Sequence, residues 1–306
     1  MSKRTIGVIG VIISAVFFGF VPTFSTYLSS VGGTTLSVVF LRFSLSLIPL
    51  LIYLKAKKIP MGITKSQFWK LVLITVVGYG GTAPLLFSSY SFIPTGMATT
   101  LHFCYPAMVI VFSAIFLKEK IKPVKLICVI MCMAGIFLFY DVGMGGNIIG
   151  ILLAFISGNT YAFYIIYLDK SELKEMDSLK MIFYMNAIGT VMFFIICLAT
   201  GQLALAMPWG GWLVAAVFSV GASFIAVLGF QIGVKYTGGQ SASILSTFEP
   251  ITSVVIGVAA HGESFSARGI AGCVLILAAT VIIACVRDEE PDRDGLMQGD
   301  EKKSAS

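Results

Sequence analysis

Apolar runs of about 18–25 residues recur from one end of this chain to the other, and each is long enough to cross ~30 Å of hydrocarbon. A chain built this way folds in lipid, as a set of membrane-spanning helices. Of its 306 residues, 57% are hydrophobic and 12% charged, whereas about a quarter of a soluble domain is charged.

Ten such spans are readable, at about 6–28, 34–54, 69–92, 97–117, 123–140, 148–168, 179–199, 210–233, 240–260 and 267–286. The first apolar stretch runs on to about Leu28, longer than the apolar region of a signal peptide, and no small-residue cleavage site follows. It reads as the first membrane helix. The connecting loops are short, with no inserted soluble domain. The tail "RDEEPDRDGLMQGDEKKSAS" (287–306) is charged and aperiodic, and is expected to be disordered in the cytoplasm.

The formal charge of +6 is a statement about topology. With the N-terminus in the cytoplasm, every basic residue except Arg42 and Arg268 falls in a cytoplasmic segment. The positive-inside rule then puts both termini in the cytoplasm of a multi-pass plasma-membrane protein. Basic residues confined to short loops between spans do not describe a nucleic-acid surface. Trp69, Trp209 and Trp212 stand at span ends, where interfacial anchors belong. All six cysteines fall inside apolar spans and read as small buried hydrophobes. No phosphate-binding "GxxxxGK[ST]" loop occurs, and Cys128 and Cys132 have no His or carboxylate beside them to complete a metal site, so no cofactor is expected.

Sliding the second half onto the first by about 144 residues superposes Ala98 on Ala242, Leu101 on Leu245, Pro106 on Pro250 and Glu119 on Glu263. Each half carries five spans. An odd number means that the second copy enters the membrane upside down. The expected fold is therefore an all-α membrane protein of ten transmembrane helices in two inverted five-helix repeats: residues 1–140, then 141–286, then the tail. Inverted repeats point to a carrier working by alternating access.

The segments "TGMATTLHFCYPAMVIVFSAIFLKEKIKPVKLICVIMCMAGIFLF" (95–139) and "GGQSASILSTFEPITSVVIGVAAHGESFSARGIAGCVLILAATVII" (238–283) carry a resemblance. Each has small residues, a proline one or two turns on, a glutamate at the loop and a glycine-bearing following helix. "SAVFFGFVPTFS" (14–25) and "SGNTYAFYIIYLDK" (157–170) resemble the first helix of each repeat. Together they resemble the drug/metabolite transporter superfamily, specifically its ten-helix EamA-type members. One departure is Glu263, which sits in "HGES" without the basic neighbours of "LKEK". The resemblance implies a basket of two five-helix halves around a central cavity. The third, fourth, eighth and ninth spans line it, with parts of the first and sixth. The fifth and tenth lie at the periphery or in a homodimer contact. It implies transport as a class, of substrates that range from amino acids, nucleobases and sugars to choline-like amines and drugs.

The candidate site residues are the polar groups inside spans. Glu249 is the one carboxylate deep in a span, ~16 Å from its outer end. A charge there costs about 2.5–3.5 kcal/mol or more, so it faces a cavity or a partner. It is a candidate for substrate contact and proton coupling, against the alternative of a structural ion pair with Arg42. Arg42 lies ~12 Å deep in the second span and reads as a gating or structural residue. His102 and Tyr105 are three apart and share a helix face. Ser246 and Glu249 are their repeat equivalents. Asn159, near midplane, is a candidate for substrate or helix–helix contact, and Phe18 for an apolar pocket wall. Pro106 and Pro250 are expected to kink the fourth and ninth spans around the site.

The function expected is secondary active export of small metabolites, amino acids or related zwitterions foremost, with protons as a coupling ion. An organic cation or drug is the alternative substrate. A channel or scaffold is the alternative class. The partners expected are a small-molecule substrate, membrane lipid and protons, and small-residue faces on the fifth and tenth spans allow a homodimer. An intramembrane enzyme is disfavoured because "GxSxG" and "HExxH" are both absent.

Overall fold

The computed structural model describes residues 1–92, 98, 101–103, 105–118, 122–139, 148–249, 252, 256 and 267–285. Among them there are helices and turns and no strand. In chain order they are α1 (Lys3–Ser30), α2 (Thr35–Ala56), α3 (Lys65–Ser89), α4 (Tyr105–Leu117) and α5 (Pro123–Phe139). Then follow α6 (Ile148–Lys170), α7 (Ser178–Thr200), α8 (Trp209–Thr237), α9 (Gly239–Leu245) and α10 (Ala267–Cys285). Among the described residues six of these, α1, α2, α3, α6, α7 and α8, are long and apolar enough to cross a membrane. The tail 287–306 and Pro250 lie outside the described residues.

Local chemistry sets the helix ends. Thr34 and Thr64 open α2 and α3 with reciprocal capping boxes to Ser37 and Gln67. Asp177 caps α7, and Gly201 closes it in the left-handed conformation (φ 66°) that costs a residue with Cβ far more. The outward faces are apolar: Ile48 and Ile52 on α2 and Val191 and Ile195 on α7 are exposed. Helices apolar all round suit a lipid surround.

The helices pair in a reciprocal pattern. α1 packs on α8, and α6 packs on α3; α2 packs on α7, and α5 packs on α10. Gly10 and Gly229 make the α1–α8 contact possible, since a Cβ on either residue would meet the carbonyl oxygen of the other. Across α2 and α7 the rings of Phe43 and Phe193 stack at 5.7 Å.

Two helices contain π-helical turns, Ile74–Tyr79 in α3 and Gly221–Ile225 in α8. Such turns interrupt the regular hydrogen-bond ladder and recur at functional sites.

The segment around Pro106 differs from the expected kink. Residues 101–102 are helical, Phe103 is a turn, and α4 restarts at Tyr105 with Pro106 in its first turn. The break thus precedes the proline, and the reason is local: in a first helical turn proline has no N–H to lose. In the second half α9 ends at Leu245, Ser246 and Thr247 turn, and Phe248–Glu249 are helical again.

One end of the bundle carries the lysines and a polar network joining the two halves of the chain. Lys70 contacts Glu172 at 2.8 Å, and Ser66 donates to the same carboxylate at 3.0 Å. Lys180 and Tyr184 donate to the carbonyls of Gly62 and Met61. At the opposite end the Thr34 hydroxyl donates to the carbonyl of Gln202 at 2.6 Å.

Candidate functional site

A cavity of about 470 Å³ lies inside the bundle, lined by residues of α1, α2, α3 and α6 together with His102 and Glu249. Arg42 dominates its electrostatics. It is 5% exposed, and its guanidinium is held by two hydrogen bonds, Nε to Ser223 Oγ at 3.1 Å and Nη2 to Tyr79 OH at 3.3 Å. Each acceptor sits in one of the two π-helical turns. Four ring centroids lie 5.4–6.0 Å from Arg42 Cζ, those of Phe18, Phe43, Tyr79 and Phe218. Each is placed for cation–π attraction. The Ser219 hydroxyl donates to the Arg42 carbonyl at 2.6 Å, fixing the backbone as well.

A guanidinium has five N–H donors. Two are accounted for, and no carboxylate approaches Arg42 within 4.0 Å among the described residues. Glu249 lines the same cavity, half-buried. No Arg42–Glu249 contact closes within 4.0 Å: the guanidinium and the carboxyl group line one cavity without bonding to each other. The cavity wall includes α2 through Arg42, which the sequence reading had assigned to structure or gating.

His102 is 6% exposed and also lines the cavity. Its Nδ1 lies 2.9 Å from Ser157 Oγ on α6. The Ser157 hydroxyl donates its hydrogen to the Ala154 carbonyl at 2.6 Å, so toward His102 it accepts. With the serine oxygen accepting, Nδ1 is the donor of this pair. The helix break behind His102 leaves its carbonyl beside Gly158, where a Cβ would come within 2.7 Å of the oxygen.

Phe18 lines the cavity. Tyr105 and Ser246 are not part of its lining; they stand behind it, with their hydroxyl oxygens 2.5 Å apart. Ser246 donates to the Ser243 carbonyl at 2.9 Å, so Tyr105 is the donor of this pair. Pro106 is buried at the start of α4. Asn159 is a correction. Its amide donates to the Phe155 carbonyl of its own helix at 2.9 Å, and it is not among the cavity-lining residues. An asparagine inside a helix can share the carbonyl four residues back and so satisfy its amide locally.

Sequence reasoning missed most of the α3 wall, Tyr79, Thr82, Leu86 and Phe87. Tyr161 of α6 completes an aromatic group with His102 and Tyr105, at ring distances of 5.6 and 4.8 Å. Thr82 and Thr160 meet at 2.9 Å and tie α3 to α6. Phe87 also lines a second, hydroxyl-rich cavity of about 940 Å³ at the end away from the lysines, with Ser25, Ser29, Thr34 and Gln202 in its wall. Phe87 is thus the partition between the two cavities.

This arrangement resembles known proteins. A solved crystal structure superposes with a TM-score of 0.78 at 17% identity, covering 94% of this chain and 99% of that one. An uncharacterized transporter of Archaeoglobus fulgidus is 25% identical over 281 residues, which span 90% of this chain and 95% of the relative. An uncharacterized transporter of Clostridium kluyveri is 21% identical over 289 residues, spanning 90% and 92%. The profile of the EamA-like transporter family matches twice, at residues 5–141 and 148–285. A multi-pass helical membrane protein with that profile across both halves belongs to the EamA-like transporter family.

Proposed function

We propose that this transporter carries small zwitterions, amino acids foremost, by alternating access, with net export and proton coupling through Glu249. The observation that carries this reading is the placement of a basic and an acidic group together: Arg42 and Glu249 line one cavity and do not bond to each other. A ligand carboxylate would use the free donors of Arg42, and a ligand ammonium would meet Glu249 and the His102 ring. Phe18, Tyr161 and Leu86 would take the apolar part. An organic cation would use Glu249 and the rings but leave Arg42 facing like charge. This favours the zwitterion.

The same reading takes the fold to be ten helices in two inverted repeats. Its supports are the double family match and the reciprocal packing, in which exchanging each helix for the one five places on turns the α1–α8 pair into the α6–α3 pair and returns α2–α7 and α5–α10 to themselves. The discontinuous helices at Phe103 and Ser246–Thr247 fit binding sites built at broken spans. The lysine-bearing end would face the cytoplasm, with both termini, in a plasma membrane; a homodimer would use α5 and α10.

The test is counterflow in liposomes loaded with single unlabelled amino acids, run at two pH values. Accelerated uptake of the labelled amino acid, lost in Glu249→Gln and Arg42→Leu, is expected. Equal exchange by wild type and both variants would overturn the reading, and uptake without trans-acceleration would indicate a channel. A first screen is thermal stabilisation of purified protein by amino acids, amines, nucleobases and sugars.

A further inference from the structure

Five buried side-chain atoms have no hydrogen-bond partner among the described residues: Ser14 Oγ, Thr75 Oγ1, Tyr164 OH, Asn186 Oδ1 and Gln231 Oε1. They come from five different helices, α1, α3, α6, α7 and α8. Each lies in the half of its helix nearer the lysine-bearing end, roughly 9–17 Å in from that end at the helical rise. Native structures satisfy nearly all such groups, so five in one region of one protein ask for a physical reason.

The five are continuous with the central cavity. Tyr79, which accepts from Arg42, sets its ring 5.7 Å from that of Tyr164. Tyr164 and Gln231 approach each other between α6 and α8 in a marginal hydrogen bond, too loose in geometry to satisfy either group fully. The Gln231 amide reaches only the Met185 sulfur, at 3.6 Å. On the other side Ser223 accepts from Arg42, and its carbonyl accepts from Asn186 at 3.1 Å. Thr75 lies one turn from Tyr79, in the same π-helical turn. Ser14 lies against Gly229, at the glycine contact of α1 with α8. A seam of neutral polar groups therefore runs from the cavity toward the lysine-bearing end, with five of its atoms unpartnered among the described residues. Beyond it stand the bonds of Glu172 to Lys70 and Ser66.

We infer that these five residues line the cytoplasmic half of the translocation route and are wetted when that half opens. Leaving a buried polar atom unpaired costs about what a hydrogen bond is worth, and the cost vanishes if another state supplies water or the polar groups of a passing substrate. The residues suit transit. Hydroxyls and amides give a zwitterion hydrogen bonds but no ion pair to hold it, so it moves on. The inference rests on the transport reading and deepens it.

The experiment reads water access directly and needs no substrate. Ser14→Cys, Thr75→Cys and Gln231→Cys are placed in a chain whose native cysteines are replaced and whose exchange activity is intact. Ile182→Cys, buried and apolar in the same half of α7, is the control. A membrane-impermeant trimethylammonium methanethiosulfonate is added to the cytoplasmic face. At least tenfold faster labelling of the three seam positions than of Ile182→Cys is expected. The serine and threonine replacements are close to isosteric, so the test does not depend on Gln231→Cys folding. Equally slow labelling of all positions, in vesicles whose protein still exchanges amino acids, overturns the inference and leaves the transport reading standing. Fast labelling in vesicles without exchange of any amino acid upholds the seam and counts against the transport reading.

Discussion

Tyr105 donates a hydrogen bond to Ser246 across 141 residues of chain, joining the two broken helices on which the central site is built. In the repeat register Tyr105 corresponds to Glu249, and Ser246 to His102. Under the proposed twofold relation the counterpart of this pair is Glu249 with His102, and both line the cavity. One pair is neutral, closed and structural; its equivalent is ionisable and open. Tyr105→Phe and Ser246→Ala are each expected to lower stability by about 0.5–1.5 kcal/mol, with a coupling of similar size in the double variant. Thermal unfolding in detergent measures this, and exchange activity is expected to stay within a few-fold of wild type.

Arg42 is a charge retained against its cost. Removing an ion from water costs several kcal/mol, and here two neutral hydrogen bonds and ring faces replace a counter-ion. Arg42→Met is expected to raise Tm while abolishing exchange and any stabilisation by substrate. Arg42→Lys is expected to lose at least about tenfold in exchange, because a point charge cannot hold the Ser223 and Tyr79 bonds together. Thermal shift with and without substrate, beside counterflow, separates the two effects.

Phe87 divides the central cavity from the hydroxyl-rich one. Phe87→Ala would merge them. A cysteine at Thr82 should then be labelled from outside at least about tenfold faster, while the volume removed costs about 3–5 kcal/mol of stability.

Close approach at α1–α8 is tested by Gly229→Ala. Its methyl group would meet the Gly10 carbonyl oxygen, which belongs to backbone and cannot rotate away. A loss of about 1–3 kcal/mol is expected, with slower exchange. Gly158→Ala should behave alike through the His102 carbonyl.

The Glu172 carboxylate is held below the usual 4.5 by the hydrogen bonds from Lys70 and Ser66. Because its folded value is depressed, the contact contributes fully above the unfolded value and is lost as pH falls through the folded one, below 4.5. Between pH 5 and 8 it stays ionised. Glu172→Gln is therefore expected to leave the shape of the pH–exchange profile unchanged over that range, while Glu249→Gln flattens it.

Arg42, His102 and Glu249 were legible in the sequence because an ionisable group in an apolar run is costly wherever it points. Tyr79, Thr82 and Phe87 were not. An aromatic or hydroxyl facing a cavity and one facing lipid or another helix read alike when every neighbour is apolar. The π-helical turns were hidden for the same reason, since one extra residue per turn leaves no trace in a pattern without a polar face. Asn159 misled because depth along a helix says nothing about a carbonyl four residues back. Pro106 marked the right place but the wrong event, a restart of the helix instead of a bend through it.

The glycine contact of Gly10 with Gly229 has a mechanical consequence. It welds a helix of the first half to one of the second, as α6 is packed on α3 in exchange. On the proposed alternating-access mechanism the bodies that rock would therefore be hybrids, each assembled from both family-matched halves. Neither copy owns a complete lever, so the halves expressed as separate chains would have to trade helices before anything could move.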